Sequence, residues 1–110
     1  YFMAGCSAIL LSELRKNKIK IARISGASAG AWAAMFMICG VSTSTWMETY
    51  HACKENQNKL IHDVYEHEYR RTGDMLPPDA YKICSGRLFI SITVLTVTGP
   101  KNRIISDFMS

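Results

Sequence analysis

Apolar positions follow three different rhythms along this chain. From Met3 to Arg15 they return at helical spacing: Met3, Cys6, Leu10 and Leu14 share a side, and Glu13, Arg15 and Lys16 gather near the end. That pattern predicts an amphipathic helix, with Asn17 and Lys18 turning the chain after it. Ile19, Ile21 and Ile24 then predict a buried parallel strand from Ile19 to Ser25. From Ser28 to about Gly40 the apolar residues, among them Trp32, Met35, Phe36, Met37 and Ile38, go all the way round a helix. Such a helix must be covered on most sides, and Gly40 suits its C-terminal cap.

Beyond it the pattern turns more polar. Thr45-Trp46-Met47-Glu48 fits a capping box and predicts a second helix to about Leu60, with Glu55 and Lys59 spaced for an i,i+4 pair. A third helix follows, with Ile61, Val64, Tyr65 and Tyr69 on one side, Glu66 near Arg70 on the other, and a break at Thr72-Gly73-Asp74. Pro77-Pro78-Asp79 opens a short helix from Asp79 to Cys84, stopped at Ser85-Gly86. Alternation at Leu88, Ile90, Ile92 and Val94 predicts a strand from Arg87 to Val97. Gly99-Pro100-Lys101-Asn102 is the expected turn and Ile104 to Phe108 the returning strand. The chain contains no repeat, linker or low-complexity tract.

With 110 residues, 48% hydrophobic and 20% charged, this is one folded domain or less. Tyr1-Phe2-Met3 lacks the charged start of a secretory signal, and both ends look cut, so residues are expected before Tyr1 and after Ser110. The continuous apolar run Ala31 to Val41 is eleven residues long. A membrane span needs about twenty, so a core helix is expected and no transmembrane segment. The net charge of +4 sits early: Arg15, Lys16, Lys18, Lys20 and Arg23 face the single carboxylate Glu13 in residues 1–25. Such a cluster can meet phosphate or anionic lipid, but it precedes the strand, which puts it at the far end of the sheet from Ser28. Cys6, Cys39, Cys53 and Cys84 form no C-x-x-C pair and no metal spacing. Cys6 and Cys39 fall in apolar helical context, so reduced thiols acting as small hydrophobes in a cytoplasmic protein are expected.

The chemistry concentrates at Gly26-Ala27-Ser28-Ala29-Gly30, a G-x-S-x-G sequence between the predicted strand and the apolar helix. In that setting it is a nucleophile elbow, which holds a serine on a tight bend with its hydroxyl exposed. A Cβ at Gly26 or Gly30 is expected to collide where helix and strand meet. Ser28 lies at a helix N-terminus, where free N–H groups and the dipole favour developing negative charge. The competing reading is a serine that merely caps the helix. A triad needs a histidine well downstream, whereas His51, His62 and His67 lie on helical segments close to Ser28 and read as ordinary helical histidines. His62 and His67, five apart, point to different sides of a helix, and no metal site is expected. Trp32, Trp46 and the tyrosines read as core residues, with no nucleic-acid partner implied.

GASAG followed by an apolar helix, and preceded by a helix, a short basic turn and a strand, resembles the patatin-like phospholipase domain. The likeness covers nearly the whole chain and is closest to the adiponutrin-type animal lipases, in their N-terminal part. Tyr1 to Gly5 looks like the end of that family's first loop, and Ser85 to Phe108 like its later β-hairpin. The resemblance implies an α/β fold: residues 1–110 would form an incomplete patatin-like domain, part of a three-layer α/β/α sandwich with a mainly parallel sheet. It implies a serine esterase or lipase that needs neither metal nor cofactor. Ser28 would be the nucleophile, with Gly26, Ala27, Ala29 and Gly30 shaping the elbow.

The family's base is an aspartate followed by glycine. Asp63, Asp74, Asp79 and Asp107 all lack that glycine, and Asp107 resembles a non-catalytic Ser-Asp-Phe strand residue. The general base and the glycine-rich oxyanion loop are therefore expected outside this chain, which by itself would be inactive. The implied partners are a lipid ester and, peripherally, a membrane or lipid-droplet surface. Two other readings stay open: a non-catalytic lipid- or partner-binding fragment or pseudoenzyme, and an α/β-hydrolase esterase with a distal histidine.

Overall fold

The computed structural model describes residues 2–54 and 61–109. Helix α1 (Phe2–Lys16) leads through an irregular stretch to strand β1 (Ile24–Ala27) and helix α2 (Ala29–Cys39). Helices α3 (Thr43–Lys54), α4 (Ile61–Met75) and α5 (Ala80–Cys84) follow, then strands β2 (Leu88–Thr96) and β3 (Gly99–Ile105). The three strands form one sheet in the order β1-β2-β3. β1 pairs in parallel with β2, Ile24 opposite Leu88 and Ala27 opposite Ser91. β2 and β3 pair antiparallel, Ile90 opposite Ile105 and Thr96 opposite Gly99. The sheet is thus mixed rather than mainly parallel, consistent with part of an α/β fold.

The core forms where α2 meets the start of β2. Ala34, Ile38, Cys84 and Leu88 are its buried centre, and Ile24, Met35, Ile83, Ile90 and Phe108 pack around them. A second cluster is aromatic: Phe36 lies 6.4 Å from Trp32 and 5.3 Å from Trp46, and Trp32 lies 5.6 Å from Tyr69, between ring centroids. These tilted contacts tie α2 to α3 and α4 and hold both tryptophans as packing residues. These two clusters cover part of the apolar surface of α2; Ala31, Ala33 and Met37 are buried as well, and α1 packs against the helix too. Gly40, with φ of +74°, ends the helix and donates its N–H to the Phe36 carbonyl.

Several boundaries differ from expectation. The strand expected from Ile19 to Ser25 starts at Ile24 and runs on to Ala27, and Ile19 is 58% exposed. A strand exists only where a neighbour supplies hydrogen bonds, and β2 begins at Leu88, level with Ile24. Upstream of that level the Arg87 side chain substitutes for a strand, donating Nη2–H to the Ile21 carbonyl (2.7 Å) and Nε–H to that of Ala22 (3.4 Å).

α3 starts at Thr43, not at a Thr45 box: the N-cap is Ser42, whose Oγ accepts the Thr45 N–H at 3.2 Å. The Glu55–Lys59 pair lies outside the described residues. α4 continues through Gly73, because one glycine costs a helix only about 1 kcal/mol and Thr72 beside it is buried. Pro77-Pro78 lies just past its end, and the Glu66–Arg70 pair forms at 2.8 Å.

The hairpin turns at Val97-Thr98 instead of Gly99 to Asn102. Gly99, at φ of +109°, begins β3, and Thr96 Oγ1 donates to its carbonyl at 2.7 Å. β3 consequently ends at Ile105, leaving Asp107 and Phe108 beyond it. Cys6, expected in an apolar setting, is exposed, because the buried side of α1 runs through Ala4 and Ser7.

Candidate active site

The elbow begins with a backbone constraint. β1 delivers the chain at Gly26 and Ala27 directly into Ser28, and α2 starts one residue later. The reversal is so tight that a Cβ on Gly26 would strike the Gly30 carbonyl, with Gly30 C at 2.5 Å and Ala31 N at 2.7 Å. Such distances cannot be relieved by turning a side chain, because every atom concerned is backbone. Gly30 differs from expectation: a Cβ there meets nothing within 4 Å. It lies in the first turn of α2 with its Cα facing open space, so the collision expected at both glycines exists at Gly26 alone.

Ser28 takes up the bend. Its φ of +50° and ψ of −130° lie where L-residues rarely go, a conformation costing about 1–3 kcal/mol. Its carbonyl accepts the Ala31 N–H at 2.9 Å, which closes the first turn of the helix. Its side chain makes no capping hydrogen bond, and the residue is exposed. A serine retained for capping would bond a first-turn N–H, so the capping reading loses its support. What remains is a hydroxyl held outward at the positive end of α2, beside the Ala29 N–H at the first helical position. That arrangement suits attack on an electrophilic carbonyl and stabilisation of the resulting oxyanion.

Rigid elements hold this geometry. α2 is anchored through Ala34 and Ile38, and β1 through Ile24, to the same core. At its far end the Ile24 N–H donates to the Arg87 carbonyl at 2.8 Å, where the Arg87 side chain also grips Ile21 and Ala22. Arg87 was not visible as a candidate in the sequence. It reads there as an ordinary strand-edge cation, and no local pattern marks a side chain that bonds backbone sixty-five residues away.

The remaining candidates fall elsewhere. Asp107 follows β3, which runs antiparallel to β2 and hence back towards the start of β1. Its neighbours bond there, Ser106 O with Gly86 N–H (2.8 Å) and Phe108 N–H with Ser85 Oγ (3.0 Å), at the opposite end of the sheet from Ser28. Asp79 is the N-cap residue of α5. His51 is exposed on α3, and the side chains of His62 and His67 lie outside those described. The basic run from Arg15 to Arg23 ends just before β1, again at the opposite end from Ser28.

Cys39 and Cys84 bring their sulfurs within 3.5 Å of each other at the C-terminal end of α2, and both are free thiols. Burial, reinforced by the hydrogen bond with Cys84, pushes the Cys39 thiol up to about 12, so it is a poor nucleophile. Among the described residues no group of three or more His, Cys, Asp or Glu side chains could hold a metal ion. None of the helices there is long and apolar enough to cross a membrane.

Known proteins give this geometry a context. The chain is 26% identical over 118 residues to the omega-hydroxyceramide transacylase of Mus musculus, covering all of this chain and 19% of that protein. It is 27% identical over 122 residues to the Homo sapiens omega-hydroxyceramide transacylase, again across the whole chain and 22% of the relative. Over 93 residues it is 32% identical to human patatin-like phospholipase domain-containing protein 5, covering 78% of this chain and 21% of that one. The chain therefore spans about a fifth of the length of these curated relatives. No family model and no solved structure matches it. These similarities support a patatin-like relationship and a lipid-acting hydrolase or acyltransferase class.

Proposed function

We propose that this chain is the elbow-bearing part of a patatin-like acyl hydrolase or acyltransferase acting on lipid esters, with Ser28 as nucleophile. The observation that carries this is the backbone of Ser28, held at φ of +50° with its side chain exposed and uncapped at the head of α2. Ser28 Oγ attacks the acyl carbonyl while its proton passes to an aspartate outside these 110 residues. The N–H of Ala29 and the start of α2 hold the oxyanion. Collapse expels the alcohol, which takes up the proton, and leaves the acyl group on Ser28. Water then attacks the acyl-enzyme to release a fatty acid; a lipid hydroxyl in its place gives a transacylase. The work takes place in the cytoplasm at a membrane or lipid-droplet surface, and needs neither metal nor cofactor.

A non-catalytic, lipid- or partner-binding role for the 110-residue chain alone is favoured by the position of Asp107 at the wrong end of the sheet. One comparison separates the two readings. A fluorophosphonate probe is applied to the 110-residue chain, to a longer protein containing it, and to the Ser28→Ala form of each. The enzyme reading expects strong labelling of the longer protein that vanishes with Ser28→Ala, and no nitrophenyl-ester turnover by the short chain. Labelling that survives the substitution overturns Ser28 as nucleophile. Ser28-dependent turnover in the short chain would place a base within it and overturn the external aspartate.

A further inference from the structure

The β2–β3 hairpin is longer than the sheet it belongs to. β1 stops at Ala27, opposite Ser91, whereas β2 continues for five more residues to Thr96. At about 3.4 Å per residue, this two-stranded ribbon extends roughly 17 Å past the last β1 pair. Because β1 and β2 are parallel, it projects from the end of the sheet where Ser28 sits. A two-stranded ribbon in water that no other described element covers would be expected to be polar at its tip. Here Leu95 is 83% exposed, Val97 at the turn is fully exposed, and Pro100 opposite Leu95 is exposed too. Lys101 and Arg103 are exposed on the return strand, beside Val94 and Ile92, and residues 88–105 contain no carboxylate.

We infer that the tip of this hairpin is a docking finger for an anionic phospholipid surface. Leu95, Val97 and Pro100 enter the acyl boundary, and Lys101 and Arg103 pair with headgroup phosphates and carboxylates. The inference rests on the lipid-ester reading for its purpose. A finger beside the elbow brings the Ser28 end of the sheet to the lipid, which the basic run at Lys16, Lys18 and Lys20 cannot do from the opposite end. An acidic protein would satisfy the two cations but leave the apolar tip without an acyl phase to enter. A second copy pairing along β3 would meet the same two cations.

The test is flotation of the 110-residue chain with vesicles of phosphatidylcholine alone or mixed with phosphatidylserine, which requires no turnover. Binding to the mixed vesicles is expected to fall about fivefold for each of Lys101→Gln and Arg103→Gln. Leu95→Ser with Val97→Ser should lower it by at least about tenfold. Lys18→Gln with Lys20→Gln should leave it unchanged. Insertion is read separately from Val97→Trp, whose added emission, over that of Trp32 and Trp46, should shift to the blue and be quenched by brominated acyl chains. All substituted side chains are exposed, so far-UV circular dichroism should match the parent. Equal flotation of the hairpin variants, an unshifted Val97→Trp signal, or a dimer formed through the hairpin without vesicles would each overturn the finger. Failure of the enzyme reading looks different: flotation through the hairpin would persist while Ser28 in the longer protein stayed unlabelled.

Discussion

Gly26 lies so close to Gly30 that the Gly30 backbone occupies the space a side chain on Gly26 would need. The contact is one-sided. A Cβ on Gly26 meets the Gly30 carbonyl, while a Cβ on Gly30 meets nothing within 4 Å. Gly26→Ala is therefore expected to destabilise the chain by about 3 kcal/mol and to abolish probe labelling in the longer protein. Gly30→Ala should preserve labelling and raise stability by up to about 1 kcal/mol, as alanine does in place of a helical glycine. Urea denaturation of the two variants gives the comparison. Equal losses would mean that the motif's glycines act through something other than space.

The strain at Ser28 makes a second prediction. Glycine relieves a φ of +50°, whereas alanine inherits it. Ser28→Gly should be more stable than Ser28→Ala by about 1 kcal/mol, although both abolish labelling. Indistinguishable thermal midpoints would mean that the bend relaxes at no cost when the hydroxyl is absent.

The paired thiols give a pH dependence. Cys39 is pushed up to about 12 by burial, then by its hydrogen bond with Cys84, against an ordinary 9.0. Between those values the unfolded chain has lost this proton and the folded chain still holds it, so raising the pH favours unfolding. The contribution is intact below about pH 9 and is lost as pH rises towards 12. Iodoacetamide at pH 8 should accordingly modify exposed Cys6 well before Cys39, as peptide mapping would reveal. Simultaneous modification of both would contradict the partial burial and hydrogen bonding of Cys39 against Cys84.

Arg87 is the fourth case. Its guanidinium bonds the carbonyls of Ile21 and Ala22, and Arg87→Met leaves both without that partner. A loss of about 1–2 kcal/mol is expected, with Arg87→Lys intermediate because a single ammonium cannot fork to two carbonyls. A midpoint unchanged in Arg87→Met would show that water serves these carbonyls equally well.

Sequence pattern reached some of these features and not others, for identifiable reasons. α2 and α5 were legible because caps are local: Ser28 and Gly40 bracket α2 within one residue. α1 was legible in extent only, since Met3, Cys6 and Leu10 are exposed and its buried side runs through Ala4 and Ser7. The elbow was legible because small residues at fixed offsets encode a bend. What failed depended on neighbours distant in the chain. Ile19, Ile21 and Ile24 look like one strand, but a ladder reaches only the last of them. Gly73 looks like a break, and the burial of Thr72 beside it argues otherwise. Gly99-Pro100 looks like a turn, yet Gly99 serves to start a strand and Pro100 is accommodated on β3, at the edge of the sheet. Thr45, with Glu48 three residues on, looks like a cap, yet α3 already begins at Thr43. In the structure Ser42 Oγ meets the Thr45 N–H.

The Arg87 clasp also has a consequence in time. Among the described residues, every backbone pairing of β1 is to residues 87–91, more than sixty positions after Ile24. During synthesis at about 5–20 residues per second, those residues leave the ribosome roughly 3–13 seconds after β1 does. Through that interval α1 and α2 can form from contacts near them in sequence, before β2, the partner of β1 among the described residues, is present. Before β2 is present, its pairing does not yet hold β1 at the entrance to the Ser28 bend. The hairpin is thus the clock of the elbow: the β1 ladder that leads into Ser28 forms when β2 arrives.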